Sequence, residues 1–249
     1  MTQNLKMRFG LLGRNISYSF SKGHFTAKFD NEKYQGYTYE NFDIQEIGVF
    51  PEIIKNTEHL KGLNVTIPYK EDVIPFLDKL SKKATKIGAV NTIKITKKGK
   101  LKGYNTDYFG FLKSLKPLLK PHHKKALILG TGGASKGVAF ALEELGIDYK
   151  FVSRKASEKA IDYSQINADT FNEYQIIINS TPIGTSPNIE ACPDIPYELF
   201  TEQHIAYDLI YNPAETQFLK NAKERGAQIK NGLDMLIFQA EKAWEIWNK

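Results

Sequence analysis

The chain has 249 residues, 41% of them hydrophobic and 25% charged, and its 34 basic and 28 acidic side chains leave a net charge of +6. That length allows one large or two modest domains, and the balance is that of an ordered globular protein, not a disordered one. No run approaches the roughly 18 apolar residues of a membrane span, and MTQNLKMRFG carries no apolar leader, so a cytoplasmic protein without membrane contact is expected.

Cys192 is the one cysteine; it cannot close an internal disulfide and lacks the companions of a structural zinc site. No metal site is expected. The positive excess is scattered over pairs such as Lys82-Lys83, Lys97-Lys98 and Lys124-Lys125, which sit at turns and element ends. A nucleic-acid reader would concentrate it on one helix or arm, so that class is set aside, leaving attraction of small anions.

In chain order, Arg8–Leu12, Tyr37–Phe42 and Leu63–Ile67 read as short strands, with helices over Ser21–Phe29 and Ile44–Ile54 between them. Thr92–Ile95 and Leu101–Tyr104 follow as a hairpin joined through Lys97-Lys98-Gly99, so the first sheet is expected to be mixed. A polar, proline-bounded stretch from Lys116-Pro117 to Lys125 suggests a domain boundary near residue 120 or slightly before. Beyond it, Ala126–Leu129 is a buried strand feeding a helix from Ser135 to Leu145 that stops at Gly146. Strands at Tyr149–Val152, Ile176–Ile178, Ala206–Ile210 and Gln228–Lys230 make the second half doubly wound. The last segment spaces Leu233, Leu236 or Ile237, Ala240, Trp244 and Trp247 as an apolar helical stripe. Periodicity alone leaves open which half of the chain that stripe covers.

Two kinds of chemistry stand out. Gly130-Thr131-Gly132-Gly133-Ala134-Ser135 lies between a buried strand and a helix, where small residues let backbone amides approach a pyrophosphate at the positive end of the helix. At the end of the next strand, where an acid would bind the ribose of NAD, the chain has Ser153-Arg154-Lys155; a guanidinium there suits the 2′-phosphate of NADP. Upstream, Ser17–Ser21, Asn64–Glu71, Asn91-Thr92 and Asn105–Asp107 supply hydroxyls, amides, one lysine and one aspartate. Such a set can hold a small polyhydroxylated anion and move one proton.

Taken together, these motifs resemble those of the shikimate dehydrogenases from Gly13 to Gln239, nearly the whole chain. Ser19-Phe20-Ser21 matches the serine motif that holds the substrate carboxylate, Asn64–Glu71 matches N-V-T-x-P-x-K-E, Gly88–Thr92 matches G-A-V-N-T, and Asn105–Asp107 matches N-T-D. Gly130–Ser135 resembles G-x-G-G-A-S, Ser153–Lys155 takes the place of N-R-T, and Asn179–Gly184, Asp208–Thr216 and Gly232–Gln239 resemble three later motifs. The chain differs at Tyr18, Lys22 and Tyr108, where the family usually has His, Pro and Gly, and at Ser153, where it usually has Asn.

The resemblance implies an α/β chain with an N-terminal substrate domain on a mixed, mainly parallel sheet and a C-terminal Rossmann-like domain for NADP. The expected extents are residues 1–106 with the C-terminal helix 233–249, and residues 107–232. It implies Lys70 and Asp107 as the catalytic pair, without deciding which transfers the proton. Ser19, Ser21, Asn64, Thr66, Asn91, Tyr211 and Gln239 become substrate contacts, and Gly130, Gly132, Gly133, Ala134, Ser135, Ser153, Arg154, Lys155, Thr181, Leu209 and Gly232 cofactor contacts. The implied activity is NADPH-dependent reduction of 3-dehydroshikimate to shikimate in aromatic amino acid biosynthesis, by a monomer or homodimer. A quinate-accepting or NAD-using paralogue, and a non-catalytic binder of nucleotide or metabolite, stay open beside it.

Overall fold

The computed structural model describes residues 7–17 and 19–249. The first six residues and Tyr18 lie outside it, so the expectation drawn from the N-terminal segment and the Tyr18 difference fall outside the described residues. Two compact units divide the chain: the described residues up to Thr106 with Ala240–Lys249, and Asp107–Gln239. The polar stretch around residue 120 lies inside the second unit.

In the first unit, β1 (Met7–Gly13), α1 (Phe20–Asn31), β2 (Tyr37–Asp43), α2 (Phe50–Asn56) and β3 (Leu60–Val65) alternate, followed by β4 (Lys79–Leu80), α3 (Lys82–Ile87), β5 (Thr92–Ile95) and β6 (Leu101–Tyr104). The six strands form one sheet in the order β2-β1-β3-β5-β6-β4, with β5 antiparallel to both β3 and β6 and the other pairs parallel. Alternation along β1 serves two cores. Phe9 and Leu11 join an aromatic cluster with Phe25, Phe29, Trp244 and Trp247, whereas Leu12 packs with Leu63, Val65 and Ile93.

Two expected elements shift for local reasons. The helix over 44–54 starts only at Phe50, after a 3₁₀ turn at Ile47–Val49, because Pro51 in the first helical turn has no amide to carry a helix through it. The strand over 63–67 instead spans Leu60–Val65; Thr66 still donates to the Leu12 carbonyl, but Pro68 has no amide with which to extend the ladder.

The second unit begins with α4 (Asp107–Leu115) and continues through β7 (Lys125–Leu129), α5 (Gly133–Glu144), β8 (Asp148–Ser153), β9 (Ala160–Asp162), α6 (Ala168–Glu173), β10 (Ile176–Asn179), β11 (Ile205–Asp208), α7 (Gln217–Glu224) and β12 (Gln228–Lys230). All strand pairs are parallel, in the order β12-β11-β10-β7-β8-β9, so the winding reverses between β7 and β10. Ala126 and Ile128 of β7 feed one core and Leu127 and Leu129 the other, which is why that strand reads as continuous apolar sequence. One crossover departs from the pattern: β8 and β9 are parallel neighbours joined by Arg154–Lys159, without the helix such connections ordinarily carry.

The C-terminal helix α8 (Leu233–Asn248) answers what periodicity left open. Met235 belongs to a core of the second unit, whereas Ala240, Ala243, Trp244 and Trp247 belong to the aromatic core of the first. Gly62 of β3 admits this helix: a Cβ there would overlap the Trp247 indole, whose Nε1–H donates to the Ile93 carbonyl at 2.9 Å. Among the described residues no helix is long and apolar enough to cross a membrane.

Candidate active site

In the first unit the sequence-nominated polar residues gather where β1, β3 and β5 meet the loops that follow or precede them. Ser19 caps α1, its Oγ accepting from Ser21 N–H at 3.2 Å, and Ser21 is buried behind it. Asn64, near the end of β3, is 4% exposed; its Oδ1 accepts from the Tyr39 hydroxyl at 2.7 Å and its Nδ2 faces the Asn91 carbonyl and Thr92 Oγ1, each at 3.4 Å. Asn91 Oδ1 accepts from Thr106 N–H at 2.6 Å and from Thr92 Oγ1 at 3.2 Å, and its Nδ2 donates to Thr106 Oγ1 at 3.0 Å. The asparagines are thus locked by buried partners, which pre-orients their amides. Thr66 is half-buried just past β3, and Lys70 is half-buried in the following turn, where its carbonyl accepts from Val90 N–H at 2.7 Å.

Asp107 opens α4 in the second unit and is buried. Tyr108 beside it turns edge-on to Phe140 of α5, with ring centroids 5.3 Å apart, so the bulk that replaces the family's usual glycine goes into packing. Gln239 is buried, with Nε2 donating to the Leu236 carbonyl at 3.0 Å, and Tyr211 is half-buried in the loop after β11.

The second unit carries a cleft of about 700 Å³ at the carboxyl ends of β7, β8 and β10, beside the winding reversal. Gly130, Gly132, Ser153, Arg154 and Thr181 line it. Gly130 has φ +100°, a conformation costly for any residue with a Cβ. A Cβ at Gly132 would meet only open space, so the surrounding protein does not require that glycine; a ligand lying against the backbone would. Gly133 and Ala134 begin α5, and Ser135 is buried with its hydroxyl donating back to the Gly132 carbonyl at 2.6 Å. The hydroxyl at the motif's third glycine position therefore braces the turn.

Ser153 Oγ donates to the Lys155 carbonyl at 2.5 Å and accepts from Lys155 N–H, so it shapes the turn that presents Arg154 and Lys155. Small backbone at a helix N-terminus, an open cleft and two cations fit a phosphorylated dinucleotide. Asp162, Tyr163 and Asp194 also line the cleft. The sequence offered no motif for these three; Asp162 comes beside Ser153 only through the β8–β9 register.

Thr181 and Leu209 are held by a buried network. Thr181 Oγ1 and N–H both donate to Asn179 Oδ1, at 2.7 and 3.0 Å, and Leu209 N–H donates to the Asn179 carbonyl at 3.0 Å. Asn179 Nδ2 donates in turn to Asp208 Oδ1 at 3.1 Å, and Asp208 also accepts from Ile210 N–H at 3.0 Å and Thr216 Oγ1 at 2.6 Å. Burial raises the Asp208 carboxyl to about 6 against the pull of these donors. Its bond to Ile210 N–H turns the chain, which is why β11 ends at Asp208 and not at Ile210. Gly232 donates to the Ile210 carbonyl and passes so close to Leu209 that a Cβ would overlap its carbonyl.

Residues 11–93 match the profile of the shikimate dehydrogenase substrate binding domain. Over 96% of its length the chain is 38% identical to a shikimate dehydrogenase (NADP(+)) of Caldanaerobacter subterraneus subsp. tengcongensis, covering 90% of that protein. The chain belongs to the shikimate dehydrogenase family. The crystal structure of shikimate dehydrogenase from Aquifex aeolicus superposes on all of it with a TM-score of 0.87, at 34% identity and 94% coverage of that chain. The shikimate dehydrogenase of Thermus thermophilus, in complex with NADP(H) and shikimate, gives 0.85 at 32% identity, covering 97% of this chain and 93% of that one.

Proposed function

We propose that this shikimate dehydrogenase family member reduces 3-dehydroshikimate to shikimate with NADPH. The observation that carries the reading is the pairing, in one chain, of a buried hydroxyl-and-amide cluster in the first unit with a cation-bearing dinucleotide cleft in the second. NADPH, when bound, supplies the hydride. Residues 1–106 with the C-terminal helix 233–249 hold the substrate, and residues 107–232 hold the cofactor. Within that scheme the hydroxyls of Ser19 and Ser21 hold the substrate carboxylate. Asn64, Thr66, Asn91 and Gln239 orient the ring and the lysine, and Tyr211 lies by the nicotinamide.

Lys70 and Asp107 are the acid–base pair at the substrate oxygen. The ammonium stabilises developing negative charge, and the carboxylate balances and orients it. Arg154 and Lys155 select the 2′-phosphate through charge-assisted hydrogen bonds, while the backbone of Gly130, Gly132, Gly133, Ala134 and Ser135 takes the pyrophosphate. Thr181, Leu209 and Gly232 complete the cofactor contacts. The enzyme acts in the cytoplasm, as a monomer or homodimer, on a small-molecule substrate without nucleic acid.

The test follows reduced-cofactor absorbance with shikimate or quinate, each with NADP or NAD. Reduction with shikimate and NADP alone supports the reading; preference for quinate or NAD replaces it with the broader paralogue, and silence in all four overturns catalysis. In an active chain, Lys70→Ala is expected to lower kcat by about 100-fold or more with a smaller effect on KM. A raised KM at unchanged kcat would make Lys70 a binding residue only.

A further inference from the structure

Tyr39 lies in the middle of β2, 4% exposed, and belongs to none of the motifs that nominate the site. Its ring stacks on Phe25 with centroids 4.7 Å apart and planes 13° from parallel, so packing fixes the direction of the hydroxyl. That hydroxyl donates to Asn64 Oδ1 at 2.7 Å, reaching from β2 past the intervening β1 to the end of β3. The bond also decides which way the Asn64 amide faces: with Oδ1 taken by a donor, Nδ2 must point toward Asn91 and Thr92. Burial holds the phenol well above its usual range, so it stays neutral and keeps its proton to donate.

The chain of bonds runs on from Asn64 through Thr92 and Asn91 to Thr106. A tyrosine whose only task was to fill the aromatic core would do so equally well as phenylalanine; here its hydroxyl donates to a side chain that sequence nominates for the substrate. We propose that Tyr39 is a positioning residue of the substrate site, its hydroxyl setting the Asn64 amide in the orientation that receives the substrate. The inference rests on the functional reading above.

Tyr39→Phe removes the one oxygen and keeps the ring. Losing a donor that leaves a buried acceptor unpaired corresponds to about a tenfold change in an equilibrium. The expected result is about a tenfold rise in KM for shikimate and in its directly titrated Kd. KM for NADP should stay unchanged, and kcat should change less than KM. A shikimate KM and Kd within about twofold of the parent would overturn the proposal. So would equal losses in shikimate and NADP affinity, the mark of a merely loosened structure.

If Tyr39→Phe does not fold, Asn64→Leu, which removes the acceptor and leaves the phenol in place, carries the test. Its shikimate Kd is expected to rise about tenfold with KM for NADP unchanged, whereas a Kd within about twofold of the parent refutes the proposal. Turnover by the unaltered chain separates the two claims. A parent that turns over shikimate and is indifferent to Tyr39→Phe sinks the inference alone; a parent that neither binds nor turns over shikimate sinks both.

Discussion

Asp208→Asn isolates the cost of keeping a carboxylate buried between the ends of β10 and β11. Asp208 has no measurable exposure, and burial lifts its pKa from 3.8 to about 6 although Thr216, Ile210 and Asn179 all donate to it. A group raised in the folded state contributes stability that is fully present below its unfolded value, here about pH 4, and is lost as pH rises through its folded value, here about pH 6. At about 1.4 kcal/mol per pH unit, the gap amounts to about 3 kcal/mol in all, of which about 1.4 falls between about pH 5 and about pH 7.5.

The buried imidazoles of His123 and His204, both lowered by desolvation, have the opposite slope, losing stability as pH falls below about 6.5. They are the same in both proteins and cancel in the difference. The expected result is therefore that Asp208→Asn gains about 1.4 kcal/mol on the parent between about pH 5 and about pH 7.5, whatever constant offset the amide introduces. Trp244 and Trp247 both lie in the first unit, so a probe within the second unit is needed to report this event directly. The single thiol, Cys192, is half-buried against a second-unit core, and its labelling rate along a urea titration does so. Curves for the two proteins that stay parallel across that range would refute the reasoning.

Two further outcomes follow from particular contacts. Gly62→Ala forces the Trp247 indole away from the Ile93 carbonyl, which should cost about 3 kcal/mol, or about 6–12 °C in Tm, read by thermal melting with indole fluorescence. An unchanged Tm would mean that α8 is not seated there. Arg154→Gln should raise KM for NADP by about 10–100-fold and leave KM for NAD nearly unchanged, measured as initial rates with each cofactor. Equal effects on both would remove Arg154 from phosphate recognition.

How much was legible in sequence depended on whether the signal was local. β7 and the turn into α5 were readable because an apolar run, a glycine cluster and a helix start lie within one short stretch, and β5 and β6 run as expected from the glycine-containing link between them. The polar side chains of the first unit were legible as motifs. Their cross-linking was not, since it depends on strand order: Asn64 meets Thr92 because β3 pairs with β5, and Tyr39 meets Asn64 across the intervening β1. Ser153 and Tyr108 read as departures from the family pattern, yet the structure employs one to shape a turn and the other to pack on Phe140. Asp162 could not be found at all, because only the β8–β9 register brings it beside Ser153.

That register has a consequence for how cofactor choice can drift. In most parallel crossovers a helix separates the strand end that meets a ligand from the next strand, and insertions there are absorbed by the helix. Here Arg154 and Lys155 are themselves the first residues of the link between β8 and β9, pinned at one end by Ser153 and at the other by the pairing of Phe151 with Ala160. A single inserted or deleted residue in Arg154–Lys159 must either re-aim the two cations or slide β9 along its neighbour. Length variation in this link is thus a direct route to altered nucleotide preference, open to natural variation and to directed selection without any change in the residues that carry charge.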